Sequence, residues 1–396
     1  MHLSHTQPGS KRLGRPMTRY PGSPRAIMDG IHSDPLHFLL DATAAHGDPL
    51  MFDVVVRKLV LVNSPEHIHH LLVANRANYI KATRGYAAMR MVLGQGLVTS
   101  MGSFWKRQRR IAQPAFHRRR LAGLADIMVA NTEAMLERWR PKVGTGTPVD
   151  ISVEMTRLTM EIVCETLLGV EGRSDDAERL AEAIEIATEH IVHRTRSWLT
   201  IPEFIPTARN RRFQEALAVL NTIVLGIIEE RRRSPDARHH NDLLAMFMEA
   251  QDEDTGERMT ARQLRDEVMT MFLAGHETTA MSLTWTLYLL SQHPRVMVRL
   301  CEELETVLGG RKPTFADLKA LSYLEQVLKE SMRLYPPVPM MARHAVEEDV
   351  LDGYHVPAGA YMLLCPYTAH SNPALWPQPT RLDPDRFAPN NKEAVP

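Results

Sequence analysis

"FLAGHETTAM", Phe272 to Met281, is the stretch that decides how this chain reads. It lies inside a long apolar run with clear ends. Thr260 and Gln263 form a capping-box pair, which predicts a helix starting at Ala261, and nothing interrupts that helix before Pro294. Such a helix has roughly 32 residues and a length of about 48 Å. Val268 to Ala274 and Met281 to Leu290 are apolar on every side, the pattern of a helix buried all round. Gly275 in its centre costs about 1 kcal/mol against alanine, so something must offset it. Ala274 and Thr278 are i,i+4 and Gly275 and Thr278 are i,i+3, so the three share a face of low bulk with one hydroxyl. A flat group can lie on that face. Thr278 and Thr279 can bend the helix by bonding back to i−4 carbonyls. Glu277 is expected to be a buried or semi-buried carboxylate able to relay protons. His276-Glu277 suggests half a zinc-peptidase motif, but the second histidine would stand where Ala280 does. A core helix with a small-residue packing notch is the competing reading of these ten residues.

The whole chain sets limits on function. With 396 residues and 44% hydrophobic residues it can bury a large core. Its formal net charge of zero offers no global field for nucleic acid or an acidic membrane. The first 25 residues, polar and rich in proline and glycine, have no apolar signal-peptide core, and no run of 18 apolar residues predicts a membrane span. Cys164, Cys301 and Cys365 are far apart and form no disulfide framework, which fits a reducing cytoplasm.

Residues 1–30 read as a flexible arm and 31–396 as one large, mainly α domain with minor β structure. "LMFDVVVRKLVLVNSP" reads as a β-hairpin turning at Arg57-Lys58. Helices are expected from Pro65 onward, among them Arg119 to Trp139, Ile151 to Leu168, Ala177 to His193 and Gln214 to Arg233. Segments 233–241 and 251–258 read as polar loops. Val346 to Leu364 reads as β-rich, with short strands around a turn at Pro357-Ala358-Gly359. His67, His69 and His70 cluster at a helix start without an obvious carboxylate set, so they read as surface residues.

Three further stretches carry chemistry. Ser322 and Glu325 look like another capping box, opening a helix that stops before Pro336-Pro337 and places Glu330 and Arg333 on one face. Alone, that pair would be an ordinary surface ion pair. Arg386, in "PDRF" (Pro384 to Phe387), could share Glu330 with Arg333, and a carboxylate between two guanidiniums makes a buried lock. The six prolines from His370 to Pro396 force coil there, and coil in a core region needs such a lock. In "FWKRQRR", Trp105 and Arg109 are i,i+4; an indole N–H and a guanidinium on one face suit carboxylates of a cofactor. An amphipathic basic helix is the alternative. Arg343 could supply a similar contact.

Trp105-x-x-x-Arg109, Ala274-Gly275-His276-Glu277-Thr278-Thr279, Glu330-x-x-Arg333 and Pro384-Asp385-Arg386-Phe387 occur in one order over about 280 residues. Taken together, the chain resembles the cytochrome P450 family of haem-thiolate monooxygenases. The resemblance implies the cytochrome P450 fold, with haem b between the central helix and a proximal loop. It implies insertion of one oxygen atom from O2 into a small hydrophobic substrate. Electrons would come from NAD(P)H through a separate ferredoxin, flavodoxin or reductase, since this chain carries no flavin or nicotinamide domain. By the same resemblance, Thr278 orients dioxygen and its proton delivery, and Glu277 feeds protons to it. Ala274 and Gly275 lie over the distal haem face, and Trp105, Arg109 and Arg343 hold propionates. Glu330, Arg333 and Arg386 form the lock, and the basic cluster Lys106 to Arg110 can dock an acidic electron donor.

One feature of the family is not matched. Its haem ligand is a cysteine in a Phe-x-x-Gly-x-Arg-x-Cys-x-Gly loop soon after the Pro-x-Arg-Phe motif, and its thiolate favours O–O cleavage. No such loop follows Phe387 in "APNNKEAVP", and Cys164, Cys301 and Cys365 read as structural cysteines. The expectation is an incomplete, inactive monooxygenase lacking the proximal loop and the final helix. The alternative is a non-catalytic relic that binds hydrophobic ligands or partners.

Overall fold

The computed structural model describes residues 14–54, 57–170, 174–197, 201–233, 242–252 and 254–396. The chain divides into two compact units: residues up to 83 with 339–379, and residues 84–338 with 380–395.

The first unit is built on a sheet. Strands β1 (Thr18–Arg19), β2 (Leu50–Val54), β3 (Arg57–Val62), β4 (Tyr79–Ile80), β5 (Met341–Ala345) and β8 (Tyr361–Leu364) lie in the order β1-β2-β3-β8-β5-β4, while β6 (Asp349–Leu351) and β7 (Tyr354–Val356) form a separate pair. Strand alternation explains the apolar run at 59–62. Val60 and Val62 point into one cluster with Met51 and Met362, whereas Leu61 points into another with Leu50, Phe52, Ile27 and Leu39. Both faces are covered, so nearly every position is hydrophobic.

Several sequence expectations change here. Arg57 and Lys58 belong to β3, so they are not the turn. The two strands expected around Pro357-Ala358-Gly359 are there, as β7 and β8, but each pairs elsewhere, β7 with β6 and β8 with β3 and β5. Residues 14–30 do not form a loose arm either. Ser23 caps helix α1 (Pro24–Ser33), and Ile27 is fully buried. Helices α2 (Pro35–His46) and α3 (Pro65–His69) follow.

The histidine cluster is only partly a surface feature. His67 is buried and its Nδ1 lies 3.1 Å from Asp48 Oδ2, a carboxylate that also accepts the Asn63 and Ser64 N–H groups. His70 Nε2 lies 2.7 Å from Asp349 Oδ2, which also accepts from Tyr79 and Asn75; His69 alone is exposed. Their carboxylates come from 19 and 279 residues away, beyond any local pattern.

The second unit is helical: α4 (Arg84–Leu93), α5 (Gly102–Ala112), α6 (Arg118–Trp139), α7 (Ile151–Val163), α8 (Asp175–Arg196), α9 (Ala208–Arg233), α10 (Leu243–Glu249), α11 (Ala261–Gln292), α12 (Pro294–Leu308) and α13 (Ser322–Leu334). Its core gathers Leu180, Ile184, Phe213, Leu220, Phe247, Val268 and Phe272. The helix expected to run to Leu168 stays α-helical only to Val163. A π turn, Cys164–Leu168, then ends at Gly169, whose φ of 63° suits glycine. The loop expected at 233–241 falls, beyond Arg233, outside the described residues.

Helix α11 begins with both halves of the capping box formed: the Gln263 N–H donates to Thr260 Oγ1 and the Thr260 N–H to Gln263 Oε1. The second expected box does not form. Ser322 is already the first residue of α13, and the cap comes from a neighbouring helix. Glu303 on α12 accepts the Tyr323 and Leu324 N–H groups at 2.7 and 2.9 Å, an anion at a helix N-terminus.

Candidate functional site

Helix α11 changes character along its length. Residues 264–270 and Phe272 are buried on all sides, yet Arg265, Asp266 and Glu267 are among them. From Leu273 on, one face opens: Ala274, Glu277 and Thr279 are exposed, Thr278 is half-buried, and Leu287 and Tyr288 are exposed further on. A helix buried all round is therefore found only in the first half of α11.

The Thr278 hydroxyl donates to the Ala274 carbonyl at 2.6 Å, the back-bond its type favours, and α11 stays helical through it. Ala274 and Thr278 thus form an open strip of low bulk. Gly275 stands at its edge: a Cβ there would meet only Val163 Cγ2 of α7, at 3.6 Å, an ordinary contact. The surrounding protein does not demand this glycine. Gly275→Ala is accordingly expected to raise the unfolding free energy by up to about 1 kcal/mol, the helix-propensity difference. Urea denaturation checks it, and a loss of comparable size would mean that packing requires the glycine.

Glu277 is exposed, which corrects the expectation of a buried carboxylate. It lines a cavity of about 1060 Å³ among α7, α8 and α11, together with Thr156, Arg157, Ala181, Glu185 and His276. Next to it, His276 is buried, and burial lowers its pKa against the opposing pull of the Thr156 carbonyl, so the ring is neutral at pH 7. One turn of helix spreads the motif around its axis: Ala274 and Thr278 form the strip, and His276 and Glu277 line the cavity.

Trp105 and Arg109 lie together on α5, with the guanidinium 5.2 Å from the indole centroid. The indole N–H donates to the Leu97 carbonyl at 3.1 Å. Arg109 is exposed, and no carboxylate among the described residues pairs with it. The cluster Lys106 to Arg110 is less basic than its sequence: Arg107 pairs with Glu257, and Arg110 with Asp252 and Asp254, leaving Lys106 and Arg109. Arg343 lies on β5, in the other unit, in register with Met362, and its Nη1 donates to the Ala342 carbonyl.

The structure brings Glu330, Arg333 and Arg386 together. Glu330 is fully buried. Arg333 grips it with Nε and Nη2 at 2.7 and 2.8 Å, Arg386 Nε lies at 3.3 Å, and the Asp383 N–H donates at 3.0 Å. Arg333 also donates to the Arg381 carbonyl, so the segment 381–386, which enters a short 3-10 helix at Pro384–Phe387 where coil was expected, is held by polar groups that would otherwise be buried unpaired.

The residues that sequence reading missed are Arg265, Asp266 and Glu267. Arg265 donates to the Val92 carbonyl and Asn221, Asp266 accepts the Gln95 N–H, and Glu267 accepts the Leu97 N–H. Three consecutive charges on a helix otherwise apolar all round cannot all face water, and that conflict was the available signal.

The fit to a haem is divided. The Arg109 guanidinium, paired with no carboxylate among the described residues, suits a propionate, whereas the Trp105 indole N–H, expected to do the same, is already given to the Leu97 carbonyl; the Ala274–Thr278 strip suits a flat macrocycle. The cysteines do not suit iron. Cys164 is fully buried, and burial with nearby Glu165 and Glu161 pushes its thiol up to about 12. Cys365 is buried too, with its thiol raised by burial and donating to the Pro339 carbonyl, while Cys301 is exposed on α12. Neither buried cysteine is placed to be a thiolate at neutral pH, and the exposed Cys301 offers no sheltered site.

Comparison with known proteins agrees with this layout. The cytochrome P450 family profile matches residues 28–396. The cyclooctatin synthase of Streptomyces melanosporofaciens is 35% identical over 91% of this chain and 77% of its own length. Cyclooctat-9-en-7-ol 5-monooxygenase of the same organism is 36% identical over the same shares. Pentalenene oxygenase of Streptomyces avermitilis is 32% identical over 91% of this chain and 78% of its own. The crystal structure of the cytochrome P450DA heme domain superposes with a TM-score of 0.86 at 27% identity, covering 97% of this chain and 84% of that one. Sequence profile, relatives and fold coincide over both units, and the chain belongs to the cytochrome P450 family of haem monooxygenases.

Proposed function

We propose that this protein places one oxygen atom from O2 into a small, cyclic, hydrophobic alkene or alcohol, with electrons passed from NAD(P)H by a separate redox protein. The observation that carries the reading is the open Ala274–Thr278 strip of α11. Its substrate class follows the relatives named for pentalenene and cyclooctat-9-en-7-ol. When bound, the haem supplies the oxygen chemistry. The chain's own residues bind and orient. Arg109, with Trp105 beside it, holds a propionate. Ala274 and Gly275 let a flat group approach α11. Thr278 offers a hydroxyl, now donated to the Ala274 carbonyl, that would hold a proton over the open strip once turned away from that carbonyl. Glu277, open to the α7–α8–α11 cavity, exchanges protons with water. With Arg109 given to the propionate, Lys106 is the cation of this cluster left for an acidic ferredoxin, flavodoxin or reductase. A cytoplasmic location suits three free cysteines, and no helix of the described residues is long and apolar enough to cross a membrane.

The cysteines favour a second reading for residues 1–396 taken alone: ligand binding without turnover. Two proteins separate the readings, this chain and the same chain joined to a family-type glycine-rich cysteine loop. Reduced under CO, the first is expected to lack the thiolate-type Soret band and the second to show it. With pentalenene, 18O2 and a reductase system, only the second should incorporate one labelled atom. Labelled product from neither protein, with the band present in the second, would overturn the substrate assignment. The band in residues 1–396 alone would overturn the account of the cysteines.

A further inference from the structure

Glu267 has a role that no motif assigns. It sits one helical turn into the buried half of α11 and is 1% exposed. Its Oε2 accepts the Leu97 N–H at 3.0 Å, and the carbonyl of the same Leu97 accepts the Trp105 indole N–H at 3.1 Å. Only the two backbone torsions of Leu97 separate these bonds. The turn around Leu97 is pressed hard against α11. A Cβ at Gly94 would clash with the Asp266 carboxylate, and one at Gly96 with Thr270 and, at 2.6 Å, with the Asp266 carbonyl. The turn is also closed on itself: Thr99 and Ser100 donate their N–H groups to the Gly96 carbonyl, and the Thr99 hydroxyl donates to the Gly94 carbonyl.

We infer that Glu267 is a positioning residue, holding the 94–100 turn against α11 and, through Leu97, setting the orientation of the Trp105 indole and of Arg109 stacked beside it. For haem this rests on the reading of Arg109, braced by the Trp105 indole, as a propionate contact; for the indole it stands on the geometry alone. Burial lifts the Glu267 carboxyl to about 7, opposed by the Leu97 N–H and aided by Asp266. The other charges packed around it are committed elsewhere. Arg265 is held by Asp266, Asn221 and Val92, Arg90 of α4 donates to the Thr99 carbonyl, and Arg110 of α5 is paired with Asp252 and Asp254. Arg109 of α5 is exposed. Protonation of Glu267 therefore weakens the Leu97 bond near neutrality and loosens the indole.

The test uses the full chain labelled with 15N-tryptophan, the Trp105 indole signal being assigned by its loss in Trp105→Phe. That signal is expected to shift with a midpoint near pH 7, and to stop titrating in Glu267→Gln, a variant that keeps the shape of the side chain. In Glu267→Ala the indole proton is expected to exchange with solvent faster at pH 8. An indole signal indifferent to pH in the wild type, or titrating unchanged in Glu267→Gln, overturns the inference whatever haem does. Hemin binding is the second arm. At pH 8, Glu267→Ala and Trp105→Phe are each expected to weaken it about tenfold by displacing Arg109, whose bond to a propionate is the charge-assisted one. Hemin binding unchanged in both, with the indole titration intact, overturns the reading of Arg109 braced by Trp105 as a propionate contact and leaves Glu267's hold on the indole standing.

Discussion

Glu330→Ala is expected to destabilise the protein by about 3–5 kcal/mol, the cost of breaking a buried ion pair by removing one partner. The change leaves the Arg333 guanidinium, only 3% exposed, and half-buried Arg386 without their carboxylate, and frees the Asp383 N–H. Because the pair is buried, the effect should persist in high salt. The same three groups hold the segment 381–386 to α13, so their loss should also appear as faster amide exchange there. Should the alanine variant fail to fold, Glu330→Gln keeps the shape and removes the charge, and is expected to cost less. Urea midpoints measure both. A loss under about 1 kcal/mol for the alanine variant would reduce the lock to an ordinary surface pair.

Glu267 yields the second large effect, and its sign depends on pH. In the unfolded chain the carboxyl titrates near its ordinary value of 4.5, and in the folded chain at about 7. The folded state holds the proton more tightly. Its stability contribution is therefore complete below pH 4.5 and is lost as pH rises to 7. At about 1.4 kcal/mol per unit, the difference amounts to about 3 kcal/mol. Glu267→Gln cannot ionise, so it should be more stable than the wild type at pH 8, by somewhat less than that figure because the Leu97 bond loses its charge. The two proteins should converge at pH 5. Parallel stability curves from pH 5 to 8 would contradict this account. An ionised carboxylate kept inside α11 at a cost in stability is a pattern found where a side chain must hold something in place.

How much of this was legible depends on the range over which each signal acts. The capping box at Thr260 and the stop at Pro294 are local, and α11 runs from Ala261 to Gln292 as they dictate. Strand alternation in 50–62 placed two strands there but misplaced their turn, because Arg57 and Lys58 are tolerated in a strand whose partner supplies the hydrogen bonds. Glu330 and Arg333 were readable as an i,i+3 pair, and Arg386 as a third member only through the proline-rich coil that needed anchoring. The failures share one cause. Glu303 capping α13, Asp48 and Asp349 meeting His67 and His70, and the N–H groups of 95 and 97 meeting Asp266 and Glu267 are all partners distant in sequence. A charge is buried or exposed according to such partners, and nothing within four residues reveals them. Glu277 failed in the opposite direction. The apolar residues around it suggested burial, but α11 has an open side at that turn.

The sequence by itself determined the family, the helix that carries "FLAGHETTAM", and the residues of the lock, since each is written in caps, periods and motif spacing. Only the tertiary structure decided which charges lie inside, that the Gly275 neighbourhood would accept an alanine, and that the Trp105 indole is tied through Leu97 to α11. Those outcomes are set by the desolvation of polar groups against partners brought from far along the chain, and the free energy of that exchange exists only once the chain has folded.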